Sequence, residues 1–118
     1  MFSFLKKIFS SGSPAQTQQK RFFVFAKIID PIMPLDRGDK YEDPLDAELK
    51  ERNIGEVTGG GSLLNAEKQI EWVGVDIEIN DLQDSLLFVK SELKKLGAPI
   101  GSVLEITKDG ELITIPIE

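Results

Sequence analysis

Residues 70–79, IEWVGVDIEI, and residues 81–96, DLQDSLLFVKSELKKL, decide the fold. In the first stretch Val73, Val75, Ile77 and Ile79 fall on one side of an extended chain, and Trp72, Gly74, Asp76 and Glu78 on the other. A period of two means a strand with one buried face and one largely wet face. In the second, Leu82, Leu86, Val89, Leu93 and Leu96 recur at steps of four and three, an unbroken apolar stripe along a helix. Asp81 is its candidate N-cap, Lys94 and Lys95 oppose the negative helix end, and Gly97-Ala98-Pro99 stops it. A half-buried strand followed by a half-buried helix is the beginning of a layered α+β domain.

Downstream, Ser102–Thr107 and Glu111–Ile117 read as two strands joined through Asp109-Gly110, a hairpin pair. Pro116 cannot donate to a ladder, which puts the last strand at an edge. Upstream, Arg21–Ile29 (RFFVFAKII) is dense in Phe, Val and Ile and reads as a central strand. Prolines at 31 and 34 predict an irregular acidic loop over residues 30–43. Asp43-Pro44 then opens a short helix, with Leu45 and Leu49 facing inward and Gly55 as its C-terminal cap. Val57–Leu64 is a strand weakened or bulged at its three glycines, and Asn65–Gln69 a turn. The order predicts a ferredoxin-like βαββαβ sandwich with an added C-terminal hairpin strand, both helices covering the face of Val73, Val75, Ile77 and Ile79.

The 118 residues suit one domain. Without cysteine there is no disulfide framework and no thiolate metal ligand. Without histidine the commonest general base and pH switch is gone, and neither a Ser-His-Asp nor a Cys-His arrangement can be built. The chain is therefore expected not to be an enzyme and to need no cofactor. The formal net charge is −6, but residues 1–20 hold three lysines and no acid, so the remainder carries −9. A body that acidic repels nucleic-acid backbones and suits a basic protein partner.

The opening MFSFLKKIFSSGSP has no apolar run longer than two residues and sets paired lysines inside the candidate segment, unlike a secretory signal. No stretch approaches the ~20 apolar residues that span a bilayer, so a soluble, cytoplasmic protein is expected. Residues 1–9 form a short amphipathic segment capable of weak peripheral membrane contact, and Ser10–Gln19 a tether. This divides the chain into a flexible tail at 1–19 and a single α+β domain at 20–118.

Two constellations stand out. In IGEVTGGGS (54–62), backbone N–H groups of Gly59, Gly60 and Gly61, with Ser62, are candidates for cradling an anion. No Lys-Ser/Thr follows and the spacing is not GxGxxG, and a β-bulge or close backbone approach is the stronger explanation of the glycines. The acidic residues Asp30, Asp36, Asp39, Glu42, Asp43 and Asp46 have hard-cation chemistry but not an EF-hand spacing, so they read as a solvated surface with no metal site. Trp72 beside Asp76 and Glu78 has the composition of an anchor for a basic partner, to which Asp36, Asp39 and Glu42 would add steering charge.

The stretches DRGDKYEDPLDAELKERNIGEVTGGGS, IEWVGVDIEI and ELKKLGAPIGSVLE together resemble an uncharacterised group of small bacterial proteins with the pattern DPLDxxL…GEVTGGGS…I(D/E)IEI…LxxLGAPxGS, over roughly residues 35–105. That group is in turn similar in size and charge to the immunity proteins that accompany bacterial toxins. The resemblance implies protein binding, with a basic, toxin-like partner, and brings no catalytic residues. The alternative expectation is a small-ligand or anion-binding regulatory domain using Gly59 to Gly61.

Overall fold

The computed structural model describes residues 21–117; the tail expected at 1–19 lies outside the described residues. Five strands form one antiparallel sheet: β1 (Phe22–Ile28), β2 (Gly55–Leu64), β3 (Ile70–Ile79), β4 (Val103–Lys108) and β5 (Glu111–Pro116). Their spatial order is β2-β3-β1-β4-β5, with the Phe-rich β1 at the centre and Pro116 on an edge. Asp109 and Gly110 both take positive φ, 53° and 82°, which makes the tight turn between β4 and β5.

Register sorts the side chains into two faces. Val24, Ala26 and Ile28 of β1 lie opposite Ile77, Val75 and Val73 of β3, and all six are fully buried. Leu104 and Ile106 of β4 join them. This inner face carries the helices: Tyr41, Leu45 and Leu49 from the first helical segment and Leu86, Val89 and Leu93 from the second complete one core. A leucine as buried as Leu45 or Leu93 contributes about 2–5 kcal/mol relative to alanine.

The first helical segment departs from expectation. Residues 34–43 are not a loop, because helix begins at Pro34: α1 (Pro34–Arg37) runs into a π-helical turn (Gly38–Glu42) and then α2 (Asp43–Glu51). Pro34 stands at the first helical position, where its missing N–H costs nothing. Asp43, expected as an N-cap, is instead helical (φ −65°, ψ −49°), and its N–H reaches back five residues to the Gly38 carbonyl. The next residue is Pro44, which could not have made the ordinary four-residue bond. The wider turn accommodates it, as π-bulges do.

Helix α2 is closed not by Gly55 but by Asn53, whose φ of 58° lets Asn53 and Ile54 donate to the Lys50 and Leu49 carbonyls. Gly55 already belongs to β2, where a Cβ would overlap the Glu78 carbonyl. The expected bulge in β2 is present: Val57 pairs with Ile77 and Gly59 with Asp76, leaving Thr58 extra. Helix α3 spans Asp84–Lys95, so Asp81 and Leu82 precede it. Asp81 still supports its start by accepting the N–H groups of Gln83 (2.9 Å) and Ser85 (3.1 Å). At the other end Gly97 and Ala98 donate to the Lys94 and Leu93 carbonyls, closing the helix as its Gly-Ala-Pro ending predicts.

Candidate partner-binding face

The other face of the sheet is covered by no described helix. Pairing aligns Gly59, Asp76, Phe25, Glu105 and Thr114 in one row across all five strands, with Glu56, Glu78 and Phe23 in the next. On the far side of that row lie Gly61, Gly74, Lys27 and Val103.

Trp72 is half-buried here. Its ring meets Phe25 edge-on, with centroids 5.9 Å apart and planes at 81°, and the Lys27 ammonium sits 5.1 Å from the indole centroid. Gly74 makes this possible: a Cβ at that position would overlap the edge atoms of the Phe25 ring. Phe23 extends the aromatic surface and is 56% exposed. Of the three rings only Phe23 is exposed, with Phe25 and Trp72 half-buried beside it, which makes this face a candidate interaction surface.

Acids rim it. Arg21 pairs with Glu56 at 3.2 Å and reaches Glu78 at 3.8 Å, which leaves Asp76 and Glu105 without a described ion pair. Four carboxylates against Arg21 and Lys27 leave the face with an excess of two negative charges. Sequence reasoning placed Trp72, Asp76 and Glu78 here. It missed Phe23, Phe25 and Lys27, although their odd positions in RFFVFAKII, alternating with Val24, Ala26 and Ile28, carry the signal.

The structure does not bring the other three partner candidates to this face. Asp36 and Asp39 are exposed on α1 and the π turn, in the helix layer. Glu42 is ion-paired with Arg37, and the pair lies over Gly60, where a Cβ would overlap the Glu42 carboxylate. Gly60 is paired with Val75, an inner-face residue, so Asp36, Asp39 and Glu42 share a layer on the opposite side of the sheet from Trp72. The two acidic sets form separate surfaces.

Gly59, Gly60 and Gly61 are paired strand residues opposite Asp76, Val75 and Gly74, and none has positive φ. An anion nest alternates right- and left-handed backbone, which this segment does not do. Ser62 accepts a hydrogen bond from Arg37 Nη1 at 3.3 Å.

One polar cluster was not foreseen. The Tyr41 hydroxyl, on a fully buried residue, donates to Asp30 Oδ2 at 2.6 Å, and Lys40 Nζ reaches the same oxygen at 2.9 Å. Burial pushes the Asp30 carboxyl up, but these hydrogen bonds outweigh it and hold the carboxyl below its ordinary range. Burial, followed by the adjacent carboxylate, pushes the Tyr41 phenol up to about 12. The cluster ties the π turn to the end of β1, and a weaker bond from Tyr41 to the Gly97 carbonyl (3.4 Å) adds the end of α3. It is a brace for the fold. Asp46 does similar service at β2: it accepts the Val57 N–H at 2.9 Å just before the bulge.

Among the described residues no three His, Cys, Asp or Glu side chains converge as a metal ion would require, and no helix is long and apolar enough to cross a membrane. No protein-family model, curated protein or solved structure matches the chain.

Proposed function

We propose that this chain is a small protein-binding module whose partner docks on the outer face of the sheet, anchored at Trp72. The observation that carries the reading is the surface formed by Phe23, Phe25 and Trp72, uncovered by any described element and rimmed by Glu56, Asp76, Glu78 and Glu105. Aromatic side chains with a polar rim are the usual composition of an interface centre. The acid excess favours a basic partner and an association rate that falls with salt. The resemblance to small bacterial proteins of immunity-protein size and charge supports a basic, toxin-like partner met in the cytoplasm, and no catalytic role is proposed. As for fold kinship, we infer a ferredoxin-like core. The order β2-β3-β1-β4 and the helices on one face support it, with β5 as the added strand.

Capture from the native cell with the full chain tests the function, run in parallel with Trp72→Ala and with Phe23→Ser. The reading expects a basic protein retained by the native chain, released at raised ionic strength and lost with both variants. A captured protein retained equally by Trp72→Ala and Phe23→Ser would place the interface elsewhere and overturn it.

A further inference from the structure

A cleft of about 440 Å³ opens on the helix side of the sheet, between the start of α1 and the β2–β3 hairpin. Met33, Leu64 and Ile70 are its apolar lining, and Arg37, Ser62 and Lys68 its polar lining. We propose that this cleft binds a monocarboxylate carried on an aliphatic body, a site independent of the outer-face interface.

The argument starts with Arg37. Its Nε is fixed by Glu42 and its Nη1 by Ser62, so the guanidinium is held in place rather than free to wander. Two of the guanidinium's five N–H donors are used in this anchoring, so three remain for a ligand. Lys68 brings a second cation to the same cleft from the hairpin turn, where its φ is 63°. Among the described residues Lys68 makes no ion pair.

Two lining cations against Glu42 leave the cleft with one positive charge. A singly charged carboxylate balances it, and its planar oxygens suit a guanidinium edge. Inorganic phosphate brings a larger charge and nothing to cover the apolar lining. Met33 and Leu64 are exposed, at 62% and 53%, and an aliphatic chain beside the carboxylate would remove that surface from water. The volume falls within the range of small-molecule pockets. The glycines of β2 contribute indirectly: Gly60 makes room for the Arg37–Glu42 pair that presents the guanidinium.

The test uses the full chain, isotope-labelled for amide NMR and titrated with octanoate to ~1 mM, the range of a weak specific site. Octanol, acetate and inorganic phosphate are titrated separately. The expected result is saturable shifts at residues 33–37 and 62–70 with octanoate alone, while the fluorescence of Trp72 on the other face stays unchanged. Lys68→Gln should weaken octanoate about two- to five-fold, the effect of a partly exposed ion pair. Leu64→Ser should weaken it about three- to ten-fold through lost apolar contact. Both positions are exposed, so both variants should keep the native spectrum elsewhere. The proposal is overturned by absence of saturable shifts, by octanol or phosphate matching octanoate, or by both variants binding like the native chain. Failure here leaves the Trp72 interface standing, since capture at the outer face reads a different surface.

Discussion

Tyr41→Phe removes one oxygen and tests the brace between the π turn and β1. The hydroxyl is 2.6 Å from Asp30 Oδ2 and its residue is fully buried, so its removal leaves the carboxylate one donor short. A hydrogen bond to a charged acceptor contributes about 1.5–3 kcal/mol. The lower half of that range fits best, because Lys40 still reaches the same oxygen from a half-exposed position. With a urea m-value of ~1–3 kcal/mol/M for a domain this size, the midpoint should fall by about 1 M. The penalty should depend on pH. The folded Asp30 carboxyl titrates below its unfolded value of ~3.9, so its stabilisation is complete above that pH and is lost as pH falls through the folded value. The native chain and Tyr41→Phe should therefore converge in acid. The phenol gives the opposite limb: pushed up to about 12, it stabilises fully below the unfolded value of ~10 and loses that contribution as pH rises towards 12. Tyr41 is the single tyrosine, so tyrosinate absorbance reports it alone. A urea midpoint unchanged by Tyr41→Phe at neutral pH, with a phenol titrating near its unfolded value, would refute the buried brace.

Other expectations follow from the same contacts. Leu93→Ala should cost about 2–5 kcal/mol in urea melts, whereas Leu87→Ala, at a position 64% exposed on the same helix, should change stability by less than ~0.5 kcal/mol. Equal losses would mean that α3 is rotated on the sheet. Gly60→Ala should destabilise by about 1–3 kcal/mol, because the methyl would overlap the Glu42 carboxylate and come within 2.9 Å of the Gly74 carbonyl. Gly61→Ala meets nothing within 4 Å and should be neutral or slightly stabilising by the same melts, so the reverse ranking would contradict the register of β2. Gly74→Ala should push the Phe25 ring off the sheet and shift the emission of Trp72, the single tryptophan, while leaving far-ultraviolet dichroism intact. An unshifted emission spectrum would show that the two rings do not touch in solution.

The elements legible in the sequence are those whose pattern is decided locally. The alternation in residues 70–79 and the stripe from Leu86 to Leu93 each state one buried face, and the structure buries those faces. The helical turns from Pro34 to Glu42 are hidden because Pro31 and Pro34 predict a loop and Asp43-Pro44 predicts the helix start. What a proline forbids depends on which N–H the backbone needs. At Pro34 none is needed, and at Pro44 the five-residue bond from Asp43 to Gly38 has already widened the turn. The positive signal was present: Tyr41, Leu45 and Leu49 recur at steps of four, and all three are fully buried. The candidate site was legible only in halves for a different reason. Acid content describes a chain, but a surface is made by register and layer. Phe25 becomes the neighbour of Asp76 through the pairing of β1 with β3, while Glu42 is carried to the opposite side of the sheet by a helix that the prolines concealed. The separation of Asp36, Asp39 and Glu42 from Trp72 and the unexpected helical turns at 34–42 therefore have one cause. That helical segment also turns Arg37 towards Ser62, so the far side of the sheet carries the cleft lined by Arg37 and Lys68 as well as the exposed Asp36 and Asp39.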